Sequence, residues 1–204
     1  MVSEGDPQRH LAGILLAAGG SSRFGVPKQT VHYRGVPLVV RAARAALAVC
    51  PAGVTVVTGA AREEVAAALA DLPVALCENS NWAAGLAGSM VRGLEHVPAA
   101  ATAVLFMLCD QPLVTAAELA RLVLAWTAQP AVPAAAFYVG GAGVPAIFPR
   151  SFWPELRQLA GDRGAAELLR RHGDRLSLVA MPVAAADVDD PAGLRALELA
   201  AGET

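Results

Sequence analysis

Residues 11–28 read LAGILLAAGGSSRFGVPK. The first seven, Leu11–Ala17, form an unbroken apolar run of strand length. A strand that is apolar at every position, not every second one, is covered on both faces, as in the parallel sheets of α/β proteins. The loop that follows carries two adjacent glycines, two hydroxyls and then two cations, Arg23 and Lys28. Such a loop lets several backbone N–H groups converge on one phosphate while the cations neutralise it. An ordinary Gly/Ser turn with a solvent-exposed arginine would carry the same glycines, so the glycines alone do not decide.

Working outward, short apolar runs alternate with helical patterns, the signature of βαβ units. The pattern predicts strands at Leu11–Ala17, Val54–Thr58, Val74–Cys77, Ala103–Cys109, Ala134–Val139, Val144–Phe148 and Leu176–Ala180. Helices are predicted near Pro37–Ala48, Arg62–Ala70, Ser89–His96, Ala116–Ala128, Phe152–Leu159, Ala165–Arg171 and Pro191–Ala200. The expected fold is α/β: one doubly wound, mostly parallel, Rossmann-like sheet with helices on both faces, in a single domain over 11–204 after a tail of residues 1–10. In such sheets ligands bind beyond the carboxyl ends of the strands near a topological switch point. The loops to search are therefore those after Ala17, Cys77, Cys109 and the last strand.

Composition narrows the function classes. The 204 residues include 45 alanines and only 5% aromatics, which implies a core of small side chains and close helix contacts. Sixteen basic and 18 acidic residues give a net charge of −2, without the basic excess that phosphate neutralisation along a nucleic acid demands. Lys28 is the sole lysine; the other fifteen basic residues are arginines. Mean hydropathy is +0.46, and the uncharged run Leu122–Pro149 is long enough to cross a bilayer. Pro130, Pro133, Pro145 and Pro149 with Gly140, Gly141 and Gly143 forbid one helix through it, so no membrane partner is expected. Glu4, Asp6 and Arg9 do not make a secretory leader. Cys50, Cys77 and Cys109 are odd in number and widely spaced, which indicates neither a disulfide framework nor a thiolate zinc site. These features point to a soluble cytoplasmic protein.

The two commonest nucleotide loops do not fit residues 16–28. A Walker A loop needs lysine directly after its second glycine, where Val26 stands, and no GxGxxG is present. The whole string LAAGGSSRFG followed by PK resembles instead the nucleotidyltransferase superfamily signature LAAGxSxRxG…PK, most closely in MobA-like NTP transferases. The resemblance implies that Leu16-Ala17-Ala18-Gly19-Gly20-Ser21-Ser22 wraps a triphosphate, and that Arg23 and Lys28 contact its phosphates as catalytic cations. Gln29-Thr30 replaces the leucine usual after the lysine, with no obvious chemical cost.

The remaining loops add carboxylates and glycines. Asp110, in Asp110-Gln111-Pro112 at a strand's carboxyl end, is placed either to bind a hard cation beside phosphates or to cap a helix. The family's Asp-x-Pro implies that Asp110 is catalytic and holds Mg²⁺. Asp187-Val188-Asp189-Asp190-Pro191 resembles its closing DxDTP motif, which implies Asp187, with Asp189 next, as second metal ligand. Asp190 reads as a cap for the last helix, with Pro191 at its first position. Gly85, Gly88 and Ser89 offer backbone groups and a hydroxyl at a helix start, where relatives read the base, which implies nucleotide contacts at Gly85 and Ser89. Trp82 reads as packing more readily than as a base stack.

The spacing Asn79…Trp82…Gly85…Ser89…Gly93 resembles the molybdenum cofactor cytidylyltransferases, while Leu86-Ala87-Gly88 echoes the guanylyl-transferring branch. Gly143-Val144-Pro145-Ala146-Ile147-Phe148 resembles the former's GxPxxF strand, with Val144 where histidine is usual, and Leu159–Ala165 resembles its LxGDxGA loop. The resemblance implies an acceptor side at Gly143, Pro145, Gly161, Asp162 and Gly164. The expected reaction is Mg²⁺-dependent transfer of a nucleoside monophosphate from CTP or GTP to a molybdopterin-type phosphorylated acceptor, with release of pyrophosphate. Another phosphorylated acceptor, or a non-catalytic nucleotide-binding accessory protein, are the alternatives. A Rossmann dehydrogenase is disfavoured by the missing GxGxxG, and His10, His32, His96 and His172 show neither ligand spacing nor a dyad.

Overall fold

The computed structural model describes residues 7–21 and 24–202. In chain order its elements are β1 (Leu11–Ala17), β2 (His32–Tyr33), β3 (Val36–Pro37), α1 (Leu38–Leu47), β4 (Val54–Thr58), α2 (Arg62–Ala68), β5 (Ala75–Glu78), α3 (Leu86–Glu95), β6 (Ala103–Leu108), α4 (Ala116–Ala128), β7 (Ala134–Tyr138), β8 (Gly141–Pro149), α5 (Trp153–Leu156), α6 (Ala165–His172), β9 (Ser177–Ala180) and α7 (Pro191–Gly202). Seven strands form one sheet in the order β5-β4-β1-β6-β8-β7-β9, and β2 and β3 make a separate two-stranded ribbon. Only β8 opposes the rest: it pairs antiparallel with β6 and β7, while β7 and β9 are parallel.

The mostly parallel, two-sided sheet follows from the apolar runs. Every residue of β1 and β4 is buried. The strand period divides β1 between two cores. Leu11, Leu15 and Ala17 face α1, α2 and α4, while Ala12, Ile14 and Leu16 face α3, α5 and α6. Small residues let the helices sit close. On α3, a Cβ added at Gly93 would fall 2.5 Å from Ile14 Cγ2. The uncharged run 122–149 is the end of α4, a turn and the β7–β8 hairpin; no helix among the described residues is long and apolar enough to cross a membrane.

Several boundaries differ from the sequence pattern; β8, for example, starts at Gly141 and not at Val144. The β2–β3 ribbon was not expected, being only two residues per strand. Helix α3 begins at Leu86, three residues before Ser89, because Gly85 with φ +114° supplies the turn before it. The helix expected over Phe152–Leu159 is a 3₁₀ turn at Arg150–Phe152 followed by the four-residue α5. Asp190 does cap α7: its Oδ1 accepts from Gly193 N at 2.7 Å.

In this order β1 is followed in sequence by β4 on one side, and β6 lies on its other side. The switch point therefore falls between the carboxyl ends of β1 and β6.

Candidate functional site

A cleft of about 330 Å³ opens at that switch point. Its walls come from Leu16–Gly20 after β1, Lys28 and Gln29, Trp82–Leu86 and Ser89, Leu108–Asp110 after β6, and Asp162. Segments separated by more than a hundred residues in sequence thus meet around one volume. Ser22 and Arg23, both expected to contact phosphates, lie outside the described residues.

Charge is concentrated at one end. Lys28 Nζ donates to Asp110 Oδ2 at 2.5 Å and to Asp189 Oδ1 at 3.4 Å. Burial lowers the ammonium's pKa, but the charge and hydrogen bond of Asp110, helped by Asp189, outweigh it and hold the pKa above its usual value. Asp110 is anchored through its backbone, whose carbonyl accepts from Val188 N at 2.8 Å and so ties the turn after β6 to the Asp187–Asp189 segment. Thr115, not Asp110, caps α4, with its side chain accepting from Glu118 N. Burial raises the carboxyl of Asp187, and repulsion from Asp110 and Asp189 adds to it. All three acidic candidates therefore share one electrostatic neighbourhood.

Asp110 Oδ1 is buried and has no hydrogen-bond partner among the described residues. An orphaned carboxylate oxygen at a cleft is a place for a cation or a donor from a ligand. Among the described residues, no group of three or more His, Cys, Asp or Glu side chains is arranged to hold a metal ion. A cation held here would take one or two protein carboxylates and complete its shell with water and ligand oxygens, which is the habit of Mg²⁺ beside phosphates.

The loop after β1 is tied down by a side chain to which the sequence pattern gave no role. Gln29 is 1% exposed. Its Nε2 donates to Ala17 O at 3.1 Å and to Gly19 O at 2.7 Å, and its Oε1 accepts from Ser21 Oγ at 3.2 Å. Ser21 Oγ in turn accepts from Lys28 N at 2.9 Å. The available signal was a polar residue standing where the motif usually has leucine.

Opposite the loop, the Trp82 ring lies against Gly20: a Cβ there would sit 2.7 Å from two ring carbons. Trp82 thus packs on the loop and also lines the cleft. Ser89 is 4% exposed, and its Oγ accepts from Asn79 Nδ2 at 3.0 Å, which joins the end of β5 to α3. At the start of α3, Ala87 N donates to Gly161 O at 3.0 Å, and a Cβ on Gly85 would come within 2.3 Å of Gly161 C. A Cβ on Gly164 would meet Leu86 Cδ2 at 2.8 Å. The loop of residues 161–164 is therefore pressed on the helix start, and Asp162 faces the cleft, while Gly164 precedes α6 at the cap position.

The residues expected on the acceptor side are divided by the structure. Asp162 joins the cleft, whereas Gly143 and Pro145 are buried on β8 outside its lining. Around them Tyr138 Oη donates to Val144 O at 3.0 Å, and Gln111 Nε2 donates to the same carbonyl at 3.3 Å and to Ala184 O at 2.7 Å. A Cβ on Gly143 would fall 2.4 Å from Tyr138 Oη. Burial pushes the Tyr138 hydroxyl's pKa up, and the charge of Asp187 adds to the shift. Gln111 and Tyr138 thus connect the Asp110 turn to β8; no local motif marked either.

Known proteins resemble this chain in sequence and fold. A family model described as the MobA-like NTP transferase domain matches residues 13–176. The structure of Rv0371c from Mycobacterium tuberculosis H37Rv superposes with a TM-score of 0.80 at 29% identity, over 94% of this chain and 99% of that one. A second structure of that protein, in complex with manganese, gives 0.77 at 28% identity over 93% and 98% of the two chains. A curated relative, nicotine blue oxidoreductase of Paenarthrobacter nicotinovorans, is 32% identical over 115 residues, a match that spans 56% of this chain and 56% of the relative.

Proposed function

The chain belongs to the MobA-like NTP transferase family, and from that membership we propose that it transfers CMP from CTP to a molybdopterin-type phosphorylated acceptor in the presence of Mg²⁺. The observation that carries the reading is the meeting of Lys28, Asp110 and Asp189 at the end of a cleft lined by the glycine loop. Triphosphate chemistry needs that combination: backbone donors, a fixed ammonium and carboxylates for a hard cation.

In the reaction an acceptor phosphate oxygen attacks the α-phosphorus of the nucleotide in line. The new P–O bond forms as the α–β anhydride bond breaks, and pyrophosphate leaves with the electron pair. The attacking phosphate is ionised at neutral pH, so no general base has to remove a proton. Positioning and charge neutralisation carry the catalysis. Lys28 stabilises charge on the phosphates, and Arg23 is assigned the same task. Asp110 with Asp187 or Asp189 would hold Mg²⁺, which when bound neutralises phosphate oxygens and orients them. The loop Leu16–Ser22 cradles the phosphates, Gly85 and Ser89 border the base, and Asp162, in the loop with Gly161 and Gly164, borders the acceptor; Gly143 and Pro145, buried on β8, could shape that side only from behind.

Support for cytidylyl transfer comes from the motif spacing around Trp82 and from the Gly143–Phe148 and Leu159–Ala165 segments. Pyrophosphate release with Mg²⁺, each of the four NTPs and molybdopterin tests it. CTP-selective turnover is expected, and turnover with GTP alone would overturn the base assignment. The relative named as an oxidoreductase motivates one more arm. The chain lacks GxGxxG, so NAD(H) is expected to give no thermal shift, and a saturable shift would favour a redox reading.

A further inference from the structure

We infer that Gln29 is the positioning residue of the phosphate-binding loop: its buried amide holds the Ala17 and Gly19 carbonyls inward, so that the opposite N–H groups are left for phosphate oxygens. The inference rests on the nucleotide reading above and goes beyond it by assigning a buried residue at the back of the loop an effect on ligand affinity.

The argument starts from peptide planarity. In a trans peptide the C=O of one residue and the N–H of the next point in opposite directions. Gln29 Nε2 takes Gly19 O at 2.7 Å and Ala17 O at 3.1 Å. The N–H groups of Gly20 and Ala18 are thereby aimed away from Gln29. Among the described residues, no protein acceptor takes the N–H of Gly19, Gly20 or Ser21. Ser21 has φ +51°, unusual for a residue with a side chain. Its hydroxyl is held twice, donating to Gln29 Oε1 and accepting from Lys28 N. Successive N–H groups beside a residue in the left-handed region form the concave backbone arrangement that binds anions.

The clamp also carries the cation. Gln29 and Lys28 share one 3₁₀ turn, so the residue that fixes the loop fixes the origin of the ammonium reaching Asp110. A glutamine this deeply buried is retained only where its polar atoms are satisfied, and both ends of this one are used. Leucine at 29 would match its bulk yet leave two carbonyls and a hydroxyl without their partner, and the peptide planes would be free to flip.

The test uses inorganic tripolyphosphate, which has neither base nor acceptor, titrated calorimetrically with Mg²⁺ into the full chain. Wild type is expected to bind, and Gln29→Leu to bind at least tenfold more weakly. Amide hydrogen exchange of residues 17–21 should rise in the variant while that of β4 and β6 stays protected. Trp126→Phe, a buried change on α4 remote from the cleft, controls for lost stability and should leave affinity unchanged. Should Gln29→Leu fail to fold, Gln29→Glu keeps the size and the bond from Ser21 but removes both donations, with the same expected loss. Equal affinities for wild type and variant would overturn the inference while leaving the nucleotide reading intact. No tripolyphosphate binding by wild type would overturn the nucleotide reading and, with it, the loop's assignment to phosphate.

Discussion

The carboxyl ends of β1 and β6 and the β7–β8 hairpin are linked through Gln111 but are built in opposite ways. At the first, short stretches of consecutive residues supply the groups: a glycine loop, Lys28 one turn beyond it, and Asp110 two residues past the end of its strand. At the second, single side chains reach backbone atoms far along the chain, Gln111 to Ala184 and Val144, and Tyr138 to Val144. Phosphate binding needs converging N–H groups and few charges, which a contiguous loop can provide. A wall for a larger acceptor needs shape, and shape here is assembled from residues brought together only by folding. Substitutions at the first end should strike the chemical step, and those at the second should strike stability or acceptor affinity.

The largest effect is expected at the charged end. Asp110→Asn keeps the shape but removes the charge facing Lys28 and any cation. Turnover should fall by about 10³, equivalent to ~4 kcal/mol of transition-state stabilisation. Pyrophosphate release under saturating CTP, with melting temperature as the control for folding, measures it. A loss below about tenfold would remove Asp110 from the reaction.

Next comes the contact that joins the two sides of the cleft. Gly85 has φ +114°, and an added Cβ would lie 2.3 Å from backbone of Gly161. Gly85→Ala should therefore lose about 3 kcal/mol in urea unfolding, from strain and forced separation of the 161–164 loop. Gly20→Ala presses instead on the Trp82 side chain, which can turn aside, and should be milder. Comparable losses for the two would mean that the α3–161 contact is no more rigid than a side-chain contact.

That pair shows why one end was legible in sequence and the other was not. The strands, the doubly wound sheet and the loop were readable because apolar runs and a contiguous motif encode them locally. Lys28 and Asp110 were readable for the same reason, and the structure brings them within 2.5 Å. Gln29 stood in plain sight beside Lys28, but its role depends on which carbonyls fold over it, and composition does not encode that. The separation of Asp162 from Gly143 and Pro145 follows from the 161–164 loop packing on α3, a contact between segments some 75 residues apart. The length of α5 and the start of α3 were likewise decided by Pro149, Trp153 and Gly85 in their tertiary surroundings.

A smaller effect separates the shape of the cation from its charge. In a chain whose other basic residues are all arginine, Lys28→Arg preserves charge but replaces a compact ammonium held between two carboxylates by a broader planar fork. About a tenfold fall in kcat/KM for CTP is expected, ~1.4 kcal/mol. Its pH signature is fixed by the sign of the shift. A lysine whose folded pKa lies above 10.5 stabilises the fold fully below that value and loses the contribution as pH rises through the higher one. Lys28→Met should thus flatten the stability curve only above about pH 10.5, leaving its shape near neutrality unchanged. A change of slope near pH 7 would contradict this assignment.

The smallest effect probes the acceptor flank alone. Tyr138→Phe removes the hydroxyl that donates to Val144 O at 3.0 Å, but that carbonyl keeps its bond from Gln111 at 3.3 Å. Because the acceptor stays satisfied, the loss in stability should be near the low end for one hydrogen bond, about 0.5–1 kcal/mol. Removing the oxygen also opens the space beside Gly143, which the hydroxyl fills so closely that a Cβ there would lie 2.4 Å from it. The 143–145 segment should therefore loosen without displacing Asp110, whose turn is held independently through Val188 N and its own carbonyl. The kinetic consequence is a split: KM for the acceptor rises about two- to threefold, equivalent to ~0.4–0.7 kcal/mol, while KM for the nucleotide is unchanged. An equal rise in both would mean that β8 and the phosphate loop respond as one unit. The contrast between a locally encoded and a fold-assembled end would then dissolve, since Tyr138 meets the β6 turn through Gln111 and through the charges of Asp187 and Asp110, without a hydrogen bond to Asp110 among the described contacts.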